Sequence, residues 1–335
     1  MWIVTGPFDV ELNDPEIAEK LLKCGKTYAI GRKDCDLTLQ SKKVSKISAK
    51  IIVGGWDADD IANPDSIPTL RIVNHRPKAM RIHREGQEEM VDPGETKDLP
   101  DGCQVQIIDG LPISVFLKAI ARFYWREVMC YETHSKIQGP MSAEGCAALG
   151  IHWIQSPSAA VTHHLIPSYN LTPPVVASLL SNATLVTQEW LREVLRLGAL
   201  SRGEPFSLEN SFELPSPVRF RPGFATSLRD ALKDDSTWEP NEERVGLFRR
   251  MKFIFVGETG REVTSEYREV VARGGGEYEA FAVSWGTLRW RKMLAKSVLW
   301  AKKLDGKVVL VAHGEAMEAA VGVEAWEDLV ATAKE

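Results

Sequence analysis

The sequence lacks a long apolar run: none approaches the roughly 18 residues of a membrane span. Its opening Met1-Trp2-Ile3-Val4-Thr5 has neither the basic start nor the small-residue cleavage site of a secretory signal. It reads as a strand. Cysteine is sparse as well. The five thiols, Cys24, Cys35, Cys103, Cys130 and Cys146, form no C-x-x-C pair and have no histidine at zinc-site spacing. They are expected to stay reduced and to fill packing space in a cytosolic or nuclear protein. An excess of positive charge is also missing. A formal net charge of −5 excludes a general DNA-coating role, which needs concentrated Lys and Arg to displace counterions, yet it leaves room for a local basic pocket.

Catalytic signatures are absent too. There is no G-x-x-x-x-G-K-[ST] cradle, since Gly257-Glu258-Thr259-Gly260-Arg261 is too short and has no Lys. Nor is there a G-x-G-x-x-G, H-E-x-x-H or G-x-S-x-G pattern. His163-His164 sits inside an expected strand with no acidic or Cys neighbour, so it reads as strand packing. These absences point to a non-enzymatic chain with no metal and no cofactor.

What is present is length and turn punctuation. The 335 residues exceed one ordinary core, so two or three domains are expected. Up to about residue 118, short apolar runs alternate with Gly, Asp, Asn and Pro. Thr27–Ile30 precedes Gly31, Ala49–Val53 precedes Gly54-Gly55, and Leu70–Val73 precedes Asn74. Val105–Ile108 and Ile113–Phe116 continue the pattern, with a surface loop expected over Asp57–Pro68. Many short strands of this kind make an all-β sandwich.

Beyond residue 119 strands alternate with helices, which implies small parallel sheets covered on both faces. Arg126–Cys130, His152–Ile154, His163–Ile166 and Leu185-Val186 read as strands. Ser142–Leu149, Val175–Leu180 and Gln188–Leu197 read as helices, the last capped by Thr187 and stopped by Gly198. Residues 201–247 are proline-rich and charged, a linker that Phe206, Phe212, Phe220 and Phe224 are expected to pin down. The α/β pattern restarts over 248–335, with strands at Lys252–Val256 and Lys307–Val311 and helices at Ser265–Ala272 and Val323–Lys334. Trp285, Trp290 and Trp300 fall in poorly periodic sequence between them.

One constellation has recognisable chemistry. Gly31-Arg32 ends a strand, and thirteen residues after Arg32 comes Ser45-Lys46-Ile47-Ser48-Ala49, immediately before the next. Loops on a rigid sandwich are favoured recognition sites. A phosphothreonine has about −1.5 to −2 charges and three acceptor oxygens. Arg32, the Ser45 hydroxyl and Lys46 are the donors such a group needs. These residues resemble the Gly-Arg and Ser-Arg-x-His-Ala motifs of the forkhead-associated (FHA) family. The resemblance implies an eleven-stranded sandwich that reads phosphothreonine through loops at one end. Lys46 stands where Arg is commoner, and Ser48 replaces the usual His. The third motif, Asn74-His75-Arg76-Pro77-Lys78-Ala79-Met80, lacks the family's Gly and hydroxyl residue, with Lys78 a compensating charge. The expected site is Gly31, Arg32, Ser45, Lys46, Asn74 and Lys78.

Val186-Thr187-Gln188-Glu189-Trp190-Leu191 and Val323-Glu324-Ala325-Trp326-Glu327-Asp328-Leu329 resemble the aromatic last helix of BRCT domains. Leu247–Phe255 and Gly274-Gly275-Gly276 resemble other parts of that fold. Trp190 and Trp326 are expected to fill cores. Some members of the family read phosphoserine, for which Thr133 or Ser135 would serve. Pro173 or Pro174, however, occupies the place of the family's Lys, and proline donates nothing.

The resulting reading is multidomain: an all-β FHA sandwich (1–118), a BRCT domain (119–200), a linker (201–247) and a second BRCT domain (248–335). That order resembles the regulatory-subunit family of the MRN double-strand-break repair complex. The resemblance implies a nuclear, chromosome-associated adaptor recruiting phosphorylated repair and checkpoint proteins that have Ser/Thr-Asp motifs. In that family the nuclease and ATPase subunits and the checkpoint kinase are engaged through a C-terminal region, absent here, so the chain is expected to be a fragment. The alternatives are a structural BRCT scaffold with a degenerate FHA pocket, or a DNA-end-binding module using Arg289, Arg291, Lys292, Lys296, Lys302 and Lys303. No membrane partner is implied.

Overall fold

Alternation of buried and more exposed side chains marks central strands of the first half, as in Ala49–Val53, where Ala49, Ile51 and Val53 point inward. The computed structural model describes residues 1–9, 18–106, 120–125, 128–132, 143–260 and 263–334. Its first strands are β1 (Trp2–Gly6), β2 (Ala18–Leu22), β3 (Thr27–Gly31), β4 (Leu37–Thr38), β5 (Ala49–Val53) and β6 (Leu70–Asn74). They continue with β7 (Met80–Arg84), β8 (Gln87–Val91), β9 (Thr96–Asp98), β10 (Gln104–Gln106) and β11 (Ile120–Trp125). These form a six-stranded sheet, β2-β1-β11-β10-β7-β8, and a five-stranded sheet, β4-β3-β5-β6-β9. Trp2, Val4, Tyr28, Ile30, Ile51, Ile72, Met80 and Val105 share one core.

Register brings the three motif loops to one end. β5 lies antiparallel to β3 with Ala49 opposite Ile30, and antiparallel to β6 with Ala49 opposite Asn74. The chain therefore leaves β3 after Gly31, enters β5 after Ser48 and leaves β6 after Asn74 at the same edge of the sheet. The expected 57–68 loop contains a short helix, α1 (Ala58–Ala62). Asp57 and Asp60 close a reciprocal capping box there, and Ile61 is buried.

The α/β segments follow. β12 (Met129–Glu132), β13 (His152–Ile154), β14 (His163–Leu165) and β16 (Thr184–Val186) form a four-stranded sheet in the order β13-β12-β14-β16, while β15 (Ser168–Tyr169) pairs with β17 (Gly223–Phe224). The helices are α2 (Ala143–Leu149), α3 (Pro173–Leu180) and α4 (Gln188–Ala199). His164 is fully buried and hydrogen-bonded to Ser178, as befits a strand histidine. Further on, β18 (Met251–Gly257), β19 (Glu277–Ala282) and β20 (Lys307–Val311) make a parallel sheet, β19-β18-β20. Helices α5 (Ser265–Arg273), α6 (Thr287–Leu304), α7 (Gly314–Val321) and α8 (Val323–Lys334) accompany it.

Several sequence expectations change. Gly198 does not stop α4, which runs to Ala199. The glycine is a packing residue, since a Cβ there would lie 2.4 Å from a Leu149 methyl. Thr187 takes the N-cap position but its side chain makes no capping bond. Trp190 is fully buried and donates to the Pro215 carbonyl at 2.8 Å. Trp326, by contrast, is only half-buried; Trp290 fills that core and donates to the Leu329 carbonyl. Of the four phenylalanines expected to pin 201–247, Phe206 is exposed and Phe212 is buried. Leu208, Leu228 and Trp238 are further buried anchors of that segment. Burial lifts the Cys103 and Cys146 thiols to about 12 and Cys24 to about 11, so they remain protonated packing residues.

By compactness the chain divides into two units, Met1–Ser156 with Leu165–Pro167 and Val186–Arg221, and Pro157–His164 with Ser168–Leu185 and Pro222–Glu335. Within the first, the segment after α4 covers the edge strand β2. The Leu21 amide donates to the Leu208 carbonyl at 2.9 Å, and the Phe212 amide to the Glu19 carbonyl at 2.8 Å. Pairing an edge in this way removes a template for unwanted strand addition. Beside it, the buried Glu209 carboxylate meets Lys23 at 2.6 Å, the Tyr28 hydroxyl at 2.7 Å and the half-exposed Lys26 at 3.3 Å.

Candidate phosphopeptide-binding site

Backbone bonds weld the first two loops together. The Arg32 amide donates to the Ser45 carbonyl at 3.1 Å, and the Ser48 amide to the Ile30 carbonyl at 2.7 Å. Gly31 is required by this closeness. A Cβ there would stand 2.0 Å from the Lys46 carbonyl oxygen and 2.7 Å from the Cys35 sulfur. The Cys35 thiol itself donates to the Lys46 and Lys33 carbonyls, both at 3.2 Å. Gly31 is thus buried in the joint, while Arg32, Ser45 and Lys46 stand exposed on either side of it.

The third loop is tied to the second through Ser48, whose carbonyl accepts from the His75 amide at 3.0 Å. Ser48 is buried, and its hydroxyl has no hydrogen-bond partner among the described residues. Its backbone makes the connections. Asn74 is fully buried. Its side-chain amide donates to the Lys78 and Val91 carbonyls at 2.9 and 2.8 Å and accepts from the Arg76 amide at 2.9 Å. Those bonds commit the side chain to holding Lys78's loop, so Asn74 acts by positioning. Lys78 itself is exposed.

Charge collects at this edge despite the acidic chain. Residues 32–50 contain six basic residues, Arg32, Lys33, Lys42, Lys43, Lys46 and Lys50, against two acidic ones. One of those acids is already engaged: Asp36 accepts from the Ala29 amide at 2.8 Å and from Arg202 at 2.7 Å. Arg202 also donates to the Cys35 carbonyl at 3.0 Å. No sequence pattern links a residue in the 201–247 segment to this loop; only the fold brings Arg202 there. Arg32, Lys46 and Lys78 enter no side-chain ion pair among the described residues. An anion approaching the edge would meet free cations on rigid supports. No group of His, Cys, Asp and Glu suited to a metal occurs among the described residues.

The second expected phosphate site, Thr133 and Ser135, lies outside the described residues. Pro173 opens α3 behind Thr172, where a missing amide hydrogen costs the helix nothing.

No family model matches the sequence. Nibrin homologues from the two rice subspecies, Oryza sativa subsp. indica and japonica, are 25% and 24% identical over 185 residues. Those matches cover 50% of this chain and 30% of the relatives, so the chain spans only part of their length. Among solved structures, the S. pombe Nbs1 FHA/BRCT-repeat domain is 13% identical with a TM-score of 0.55, covering 100% of this chain and 99% of that one. The S. pombe Nbs1–Ctp1 complex matches at 15% identity and a TM-score of 0.55, over 84% of this chain and 80% of that one. The chain is thus similar over half its length to nibrin homologues and shares the fold of the fission-yeast Nbs1 FHA/BRCT-repeat domain.

Proposed function

We propose that the chain is a non-catalytic phosphopeptide-binding adaptor of DNA double-strand-break repair, reading phosphothreonine with its FHA loops. The observation that carries this is the hydrogen bond from the Arg32 amide to the Ser45 carbonyl, with both side chains left exposed. It sets a guanidinium, a hydroxyl and the Lys46 ammonium on one welded joint, a donor set suited to a dianionic phosphate. The surrounding Lys33, Lys42, Lys43 and Lys78 favour acidic sequence around the phosphothreonine, hence Ser/Thr-Asp motifs. The solved fission-yeast complex pairs Nbs1 with Ctp1; the class of partner proposed for this chain is a phosphorylated repair factor. Membership of an MRN-type complex and a nuclear, chromosomal location follow from the same reading.

A titration of the whole chain with an acidic phosphothreonine peptide and its unphosphorylated twin tests this. Micromolar binding is expected for the first and none for the second. Equal binding of the two would remove the reading.

Arg202 enters the same reading as a positioning residue. Its pair with Asp36 is part-exposed on both sides, so it adds little to stability. Its second bond, to the Cys35 carbonyl, fixes the loop that holds Arg32. Arg202→Ala is therefore expected to weaken phosphopeptide binding about two- to tenfold, the worth of one modest hydrogen bond, with thermal unfolding nearly unchanged. Lysine cannot make the two-pronged contact, so Arg202→Lys should not restore affinity. An unaltered dissociation constant in both variants would show that the clamp is idle.

A further inference from the structure

Helix α6, expected from sequence as poorly periodic, is amphipathic in an unusual sense. Its 18 residues include six basic side chains and no acidic one. Trp290 and Ser297 are buried and Met293 and Leu294 half-buried, which fixes the inward face. The opposite face is not simply charged. Leu288 is 70% exposed and Leu299 67% exposed, and with exposed Ala295 they follow an i, i+7, i+11 spacing that lines up along one side of a helix. Arg289, Lys296 and Lys303 run beside that stripe at i, i+7, i+14, and Arg291 lies on its other side. Trp285, 44% exposed just ahead of the helix, stacks under the Arg289 guanidinium at 6.0 Å. Arg289, Arg291, Lys292, Lys302 and Lys303 enter no ion pair among the described residues; Lys296 makes one weak contact with Glu279 at 3.4 Å.

We propose that this outward face of α6 docks an acidic amphipathic helix from a partner protein, packed side by side with Leu288, Ala295 and Leu299 in the seam. Two features select that occupant. The cation ridge at heptad spacing, in which Arg289 and Lys303 are unpaired among the described residues and Lys296 meets only Glu279 at 3.4 Å, complements carboxylates at the flanking positions of a facing helix. The apolar stripe between the basic ridges complements a second apolar seam, whereas a nucleic-acid backbone would leave the leucines with nothing to bury against. The half-exposed Trp285 beside the stripe is the type of residue that anchors such interfaces. This proposal is independent of the phosphate-binding loops.

The test uses the whole chain and a synthetic helical peptide with Leu at its a and d positions and Glu at e and g. The control peptide has Lys at e and g. The Glu peptide should bind the chain, weaken as salt rises, and remain unaffected by Arg32→Ala. Leu288→Glu and Leu299→Glu should each reduce binding by about tenfold or more. Joint reversal of Arg289, Lys296 and Lys303 to Glu should transfer preference to the Lys peptide, an outcome that mere surface stickiness would not produce. All of these positions are exposed, so the variants are expected to fold. The proposal fails if the Glu peptide does not bind, if the triple reversal leaves it bound, or if duplex DNA binds this face and displaces it.

Discussion

Arg32→Ala is expected to erase phosphothreonine-peptide binding while leaving the unfolding temperature unchanged. The backbone of residue 32 joins the loops through the Arg32 amide, which alanine retains, whereas the side chain is exposed and supports nothing else. Truncation would therefore delete the proposed ligand contact without loosening its support. A guanidinium can place two parallel charge-assisted bonds on a phosphate, each worth about 1.5–3 kcal/mol. A micromolar complex has only about 8.2 kcal/mol in total. Losing about 3–6 kcal/mol moves the dissociation constant to about 0.2 mM at the low end and to tens of millimolar at the high end. Arg32→Lys keeps the charge and loses the fork, so it should fall between the two. Isothermal titration calorimetry distinguishes these cases, and retention of micromolar affinity by the alanine variant would transfer the phosphate contact away from this loop.

Glu209→Gln should cause the largest loss of stability. Glu209 and Lys23 are both almost fully buried, and glutamine would leave the Lys23 ammonium without its counter-charge. Breaking one side of a buried pair costs about 3–5 kcal/mol, against a typical total of about 5–15 kcal/mol. Trp2, Trp56, Trp153 and Trp190 lie in the same unit, so tryptophan fluorescence reports its unfolding. The double variant Lys23→Met/Glu209→Leu removes both charges and should recover most of the loss.

The acid dependence has a definite sign. Burial alone would raise the Glu209 carboxyl, but hydrogen bonds from Lys23 and Tyr28 and the charges of Lys23 and Lys26 outweigh it and hold the group below its usual range. A carboxyl lowered on folding adds stability above its unfolded value near about 4.3, and that stability is lost as pH falls through the folded value. Glu209→Gln should therefore flatten the acid limb of the stability–pH curve. An unchanged acid limb would mean that the network does not hold the carboxylate in solution.

The sandwich strands were legible because Thr27–Ile30, Ala49–Val53 and Leu70–Val73 each match the period of a half-buried strand. Gly31-Arg32 and Ser45-Lys46 were legible as a pair because their spacing puts them at the two ends of one connection. Their joining bond was not, because it depends on backbone register. Asn74 was visible as a motif residue, but its three side-chain bonds, which make it a loop holder, depend on Val91 and Lys78 carbonyls that no local pattern predicts. Helix α6 escaped because exposed leucines and lysines blur the period on which helix reading depends. Glu209 and Arg202 escaped for a deeper reason: each sits in a charged, proline-rich stretch that looks solvated, and each acts on residues far behind it in the chain.

That distance bears on how the protein is made. Tyr28 and Glu209 are 181 positions apart, Lys20 and Asn210 190, and Asp36 and Arg202 166. Such long-range closures slow folding. At translation rates of about 5–20 residues per second, roughly 10–40 s separate the emergence of β2 from that of the segment that covers it. During that interval the nascent sandwich presents an open strand edge and an uncompensated Lys23, and only the arrival of residues 202–212 closes both and clamps the Arg32 loop.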